Sequence, residues 1–564
     1  MNECLKRKRV GLWPAALFQK RQGLWGALEQ LFPLSFVAFG PDEAPRLDAL
    51  VADSSDQSPA FLSTAPRIPC FVSTQSLEQW DGSAVAAPIE FERHLAVPAA
   101  FRGRTLTDAH ASAMPPLRVE TGDQVVACQA HGPVWIHRPA AEGAAARDVV
   151  SLPLPMLSGS HLLRDCFHRG RFLCALPLLG FLQRVIGREG WRPAPQRACF
   201  VFDDPSLRRQ SYGLINYRQL ALHAETCNYH AAIGFIPLDA VWVNRSSAAI
   251  FRANPACLSL VIHGCNHLRL EMARTYSSSQ SMALCAQALR RIEEMERQHL
   301  LAVGRVMESP FGVIDQGMFA PLVALGYEAA LITTSQFLQH HPSVQYSRCF
   351  GLQAASYLPG GLGMIPRITI QPDWRTEAML AAFLGQPIVI AGHHRDAAND
   401  LEALEEIAET VNGFGSVRWC SLTEISRANY ATRRDGAKLS VSVGSRRVRF
   451  PVPEGVSEIS ILRPWITDNA VEPLIVTASD ETVRSIQNAS AESAPVPVPG
   501  PGTVEICSPF SNPVNALEVP TPRPRLWPYV RRALTEARDQ ATPFLSRRNT
   551  SRRPNGKASP GKVP

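Results

Sequence analysis

The feature that most constrains this chain lies between about residues 195 and 430, where short apolar runs alternate with helical patterns. Ala198–Phe202, Ala231–Ile236, Leu258–Ile262, Val303–Met307, Ala329–Ile332 and Pro387–Ile390 have the length and content of buried strands. Between them, Met282, Cys285, Leu289, Ile292 and Met295 recur at helical spacing with charges opposite. Strand and helix repeated in this way predict an α/β fold with a parallel sheet. Over this length the expectation is a (β/α) barrel, complete or incomplete.

Three of these runs end in groups that carry chemistry, at the strand ends where barrel sites are built. Asp203 and Asp204 follow Phe202, and neighbouring positions at a strand end point different ways, so the two carboxylates can play two roles. His263 and His267 follow Ile262; on one helical turn, residues four apart project to one side, as two imidazole ligands of one metal must. His393 and His394 follow Ile390. Alone, a paired Asp is as readily a helix cap and a His pair a structural coincidence. All three together, in this order, point to a metal site.

In these residues the segment resembles polysaccharide deacetylases of the NodB-homology type, carbohydrate esterase family 4. The Asp-Asp after an apolar strand, His-x-x-x-His (HGCNH), Pro310-Phe311-Gly312 and a late strand ending in His393 follow the family's motifs. The resemblance implies Asp203 as general base, with Asp204, His263 and His267 as metal ligands and His393 as general acid. It further implies Pro310 and Phe311 beside the substrate, and Trp374, after Asp373, as a wall of the acetyl pocket. One divalent metal is implied; zinc suits one carboxylate with two imidazoles, with cobalt, manganese and nickel as the other candidates. The substrate class implied is an acetylated carbohydrate, N- or O-acetylated. Two departures stand out. Glu308 occupies the family's Arg position, where it would repel Asp203 and raise its pKa, leaving Arg305, Arg367 or Arg375 to supply the missing cation. Pro205 replaces the usual Gly, so the following polar segment, Tyr212 included, is expected to line the pocket. Two other readings compete: a glycosidase using Asp203 and Glu308, and a catalytically inactive barrel that binds glycan or acts as a scaffold.

The rest of the chain divides around this unit. Residues 1–150 alternate apolar runs and turns: Phe36–Phe39, Leu50–Ala52, Cys70–Val72, Gln124–Cys128 and Val134–Ile136 read as parallel strands of a doubly wound sheet. This part resembles class I glutamine-amidotransferase domains, without a Gly-x-Cys-x-Gly elbow, which implies a non-catalytic role. Residues 151–194 read as a helical connector, 431–480 as a small antiparallel β module, and 481–564 as a Pro-rich linker with a basic, disordered tail. From Arg523 onward stand eleven Lys/Arg against Glu536 and Asp539, so of the net charge of +7 the tail carries +9 and the rest −2. A near-neutral body argues against nucleic-acid binding, whereas the tail suits anionic surfaces. The run Phe172–Leu182 is too short to span a bilayer. Thirteen cysteines without paired spacing suggest free thiols. With no export signal legible, the expected location is cytoplasmic, with non-standard export or peripheral membrane association as alternatives.

Overall fold

The computed structural model describes residues 7–39, 47–53, 68–75, 85–109, 111, 114–142, 144–398, 401–467, 470–478, 484–523 and 525–550. In the central unit the strand order is Ser356–Leu358, Leu362–Pro366, Ala329–Ile332, Val303–Glu308, Leu258–His263, Ala231–Phe235, Arg197–Asp203, Ile388–His393 and Ile368–Thr369. Every pairing along this path is parallel except the first. Among the described residues no ladder joins the two ends, so the sheet is open.

The sheet has two unlike faces. One packs against the helices Tyr217–Thr226, Arg245–Ala253, Ser278–His299 and Glu402–Asn412 in a large core containing Phe200, Phe202, Ile233, Ile262 and Ile390. The other is built from smaller side chains, among them Cys199, Val201, Val261, Val306, Val389 and Ala391, and is covered by the short helix Leu422–Arg427. Side chains alternate along a strand. Asp203, His263, Glu308 and His393 therefore continue the second face where the apolar residues stop.

The N-terminal sheet has nine strands, and only part of it is parallel. Leu34–Ala38, Lys8–Trp13, Ala49–Asp53, Cys70–Ser73 and Arg147–Val150 run parallel in that order. Gln124–Gln129 and Gly132–Arg138, expected as parallel strands, form an antiparallel hairpin joined to Ala87–Phe91 and Thr105–Asp108. Two residues between hairpin strands leave no chain for a crossover helix, so parallel pairing was never available there. The apolar run near residue 176 is the helix Leu176–Ile186, buried in the core of this sheet. No helix among the described residues is long and apolar enough to cross a membrane.

The C-terminal part departs most from expectation. Two sheets enclose a common core: one runs Arg192–Pro193, Tyr430–Asp435, Lys438–Val443, Glu458–Leu462 and Val496–Pro497, the other Arg447–Val452, Gly502–Cys507, Glu472–Ala478 and Arg484–Ala489. The Pro-rich segment is thus not a free linker, because Val496, Val498, Val504 and Ile506 bury between its prolines. Arg463, fully buried, donates to the carbonyls of Pro473 at 3.0 Å and Ser490 at 3.0 Å and ties the segment down. Arg290 holds the continuation through the carbonyls of Ala516 and Val519, both at 2.7 Å. Nor is the tail disordered as far as it is described: Trp527–Thr550 is a helix packed on the central unit. Residues 551–564, with the last of the basic cluster, lie outside the described residues. The described cysteines are free thiols.

Candidate metal centre

Asp204, His263 and His267 each offer a ligand atom, and these atoms lie within 4.8 Å of one another. Their convergence begins with strand geometry. His263 is the last residue of its strand, and the ladder to the next strand slips between Val261 and Ile262, which brings His263 level with Glu308. Asp204 lies just past its strand with φ of 81°. His267 (φ 53°) and Phe311 (φ 62°) share this left-handed backbone. Each costs on the order of 1 kcal/mol for a residue with a side chain, and strain of this kind gathers at functional sites.

The two histidines do not sit on a helical turn, as their spacing suggested. Gly264 (φ 61°) turns the chain out of the strand, and the loop winds around the carboxylate of Glu271. That buried carboxylate accepts the backbone N–H groups of Cys265 at 2.9 Å, Asn266 at 2.9 Å and His267 at 3.1 Å. A Cβ on Gly264 would come within 3.0 Å of Pro310. The imidazole rings end 5.0 Å apart. A carboxylate four residues past the second histidine was the sequence signal for this scaffold, and it was not read.

The donor set fits a cation. Asp204 Oδ1 faces His267 Nε2 at 2.8 Å and His263 Nε2 at 3.6 Å, and no other donor among the described residues reaches this buried oxygen. Burial works against its charge, but the two imidazoles outweigh burial and hold Asp204 well below the usual carboxylate range. His263 is fully buried, which lowers its pKa against the pull of Asp204 and Asp203 and favours the neutral ring that a metal requires. Its Nδ1 lies 3.1 Å from the carbonyl of Glu308 and also contacts the Glu308 carboxylate. A partner of this kind on the far nitrogen fixes tautomer and ring orientation.

Glu308 therefore plays a different part from the one expected. It does not simply confront Asp203, because Arg367 stands between them. One guanidinium nitrogen lies 3.1 Å from Asp203 Oδ2 and also bonds Glu308 Oε1. Arg367 is thus the cation whose place the sequence left open, while Arg305 pairs with Glu296 and Arg375 with Glu406. Gly234 on the intervening strand permits this crossing, since a Cβ there would sit 3.0 Å from Glu308 Oε2.

The remaining candidates divide. His393 pairs in register with Asp203 and is exposed at the end of the small-residue face. His394 turns the other way, buried edge-on against Tyr212 with ring centres 5.7 Å apart. Pro310 is buried beside Gly264, and Phe311 is half exposed. Trp374 lies in the first turn of the helix Trp374–Leu384, buried in the large core with Arg375 over its ring. Tyr212 does not line an open pocket: it is fully buried, and its hydroxyl donates to Asp539 at 2.7 Å.

Asp539 belongs to the C-terminal helix, which lies across this end of the unit. Arg532 pairs with Asp239 at 2.6 Å and donates to the carbonyl of Asp204 at 2.7 Å; Arg531 bonds the carbonyl of His267. Asp539 approaches His394 Nε2 at 3.6 Å, and Glu536 accepts from Ser206 at 3.2 Å. These residues were missed because a net-charge reading of the tail passes over its two acids.

No family model matches the chain, and no curated protein does. Among solved structures it is similar to a candidate polysaccharide deacetylase from Mycobacterium smegmatis, at 14% identity over 42% of this chain and 94% of that one, with a TM-score of 0.30. It is similar also to a family 4 carbohydrate esterase from Streptomyces lividans in complex with acetate (15% identity, 43% and 98% covered, TM-score 0.26). A peptidoglycan deacetylase from Bacillus subtilis follows at 11% identity, with 42% and 91% covered and a TM-score of 0.24. At this level of likeness, the functional reading rests on the geometry of the site.

Proposed function

We propose that the chain is a metal-dependent hydrolase that removes acetyl groups from a carbohydrate. The observation that carries this reading is the convergence of Asp204, His263 and His267, whose ligand atoms lie within 4.8 Å of one another, beside a second carboxylate held by arginine. Asp204, His263 and His267 would hold one divalent ion, zinc by the chemistry of the set. When bound, such an ion polarises an acyl carbonyl and acidifies water.

The chain's own groups supply the rest. Asp203, aimed by Arg367, takes a proton from the attacking water at its carboxylate. His393, exposed at the rim of the same face, gives a proton to the departing amine or alcohol. Glu308 keeps the proton of His263 on Nδ1 and leaves Nε2 free as a ligand. Phe311 offers a half-exposed ring for a sugar face to cover.

Acetate release from N-acetylated sugar oligomers tests the reading: the metal-loaded chain should release acetate, and Asp203→Asn should not. One observation favours a second reading, a barrel that binds glycan without turnover: Tyr212 and His394 are closed off beneath the C-terminal helix. Retained binding of such oligomers without acetate release, at full metal loading, would favour it.

A further inference from the structure

The C-terminal helix is amphipathic in the reverse sense. Pro528, Arg532, Glu536 and Asp539, spaced on one side, are buried against the central unit. On the opposite side Trp527 (62% exposed), Val530 (49%) and Leu534 (64%) face outward, with Leu526 (83%) just before them. An ordinary surface helix hides its apolar stripe and shows its charges; here the ion pairs hold the helix and the apolar stripe is left uncovered. On the body beside the helix, Tyr529 meets Trp242 edge-on at 5.8 Å, and Val241 is 67% exposed. An uncovered apolar stripe of this kind marks an interaction surface.

Charge selects the partner. Both acids of the segment from Arg523 onward are turned inward, Glu536 to Ser206 and Arg208, Asp539 to Tyr212 and His394. Of its eleven Lys/Arg, Arg532 is buried in an ion pair and Arg538, beside Asp539, stays largely exposed. What the segment presents outward is therefore aliphatic and aromatic side chains in a cationic setting. We propose that this face docks on an anionic lipid surface, the helix lying flat with Trp527, Val530 and Leu534 at the boundary between headgroups and acyl chains and the basic residues among the phosphates. The helix's inner side grips the backbone of Asp204 and His267, so docking would set the candidate metal centre next to the headgroups. This inference goes beyond the hydrolase reading and stands whether or not that reading holds.

Co-sedimentation of the full chain with phosphatidylcholine vesicles, with and without phosphatidylglycerol, tests it at physiological salt. Binding should be at least about tenfold tighter to the anionic vesicles. The triple variant Trp527→Ala, Val530→Ser, Leu534→Ser should lose roughly tenfold or more, with melting temperature and metal content unchanged. Trp527→Ala alone, the mildest change, should lose part of it. No binding to anionic vesicles would overturn the proposal. So would a triple variant that binds like its parent, since the basic tail alone would then suffice. A parent that is dimeric where the variant is monomeric, without vesicle binding, would instead assign the face to a second copy of the chain.

Discussion

Asp148 in the N-terminal sheet and Asp204 in the central one are both buried carboxylates held below the usual range, but they keep different company. For Asp148, burial is outweighed by His137, Arg184 and Trp135. Arg184 lies at 2.6 Å and the Trp135 indole N–H at 3.0 Å, so both oxygens are engaged. For Asp204 the partners are two imidazoles, His267 Nε2 at 2.8 Å and His263 Nε2 at 3.6 Å from Oδ1, and no other donor among the described residues reaches that oxygen. The direction of the pKa shift is the same and cannot tell the two apart; the partners can. A carboxylate that its own chain satisfies is part of a wall. One left facing two ring nitrogens is a place that a cation completes.

That contrast can be broken by mutation. The largest effect is expected next to Asp204: Asp203→Asn should lower acetate release by about two to four orders of magnitude while metal is retained. Near-full activity in that variant, with activity abolished in Glu308→Gln, would reverse the two roles. Glu308→Gln should weaken metal binding by roughly tenfold, because the carboxylate on His263 Nδ1 is lost; competition with a chelator reads this. Asp148→Asn should leave metal and turnover alone and cost about 1–3 kcal/mol of stability, read by denaturant titration, because Arg184 loses its partner.

The smallest effect concerns the C-terminal helix. Burial alone would raise Asp539, but His394, Tyr212 and Arg538 outweigh it and hold it at about 2, below the ordinary 3.8. A depressed carboxylate stabilises the fold above its unfolded value, and that contribution is lost as pH falls from about 4 towards 2. Protease cleavage between the helix and the body should rise across this window in the parent. In Asp539→Asn it should be raised already at neutral pH, without the acid step.

What the sequence made legible follows from where the physics is local. Apolar runs bounded by polar residues placed six of the central strands to within three residues, with Asp203, Asp204, His263 and His393 at their ends, but not Ser356–Leu358, Leu362–Pro366 or Ile368–Thr369. The histidine pair came together as expected but by another route. Helical spacing suggested a helical turn, whereas Glu271 and the left-handed Gly264, His267 and Leu270 build a loop, a tertiary solution that periodicity does not encode. Arg367 was one of three candidates until strand neighbours placed it between Asp203 and Glu308. The tail misled most. Its proline content and charge resemble those of an unstructured segment, yet Val504 and Ile506 complete a sheet, and Arg532 and Asp539 find buried partners 293 and 327 residues earlier in the chain.

The most direct test is the metal content of the purified full chain, measured beside the His263→Ala, His267→Ala double variant and Asp148→Asn. About one divalent ion per chain is expected in the parent and in Asp148→Asn, and loss of most of it in the double variant, with the melting transition retained. Unchanged stoichiometry in a folded double variant, or a parent that takes up no divalent ion at all, would contradict the metal centre.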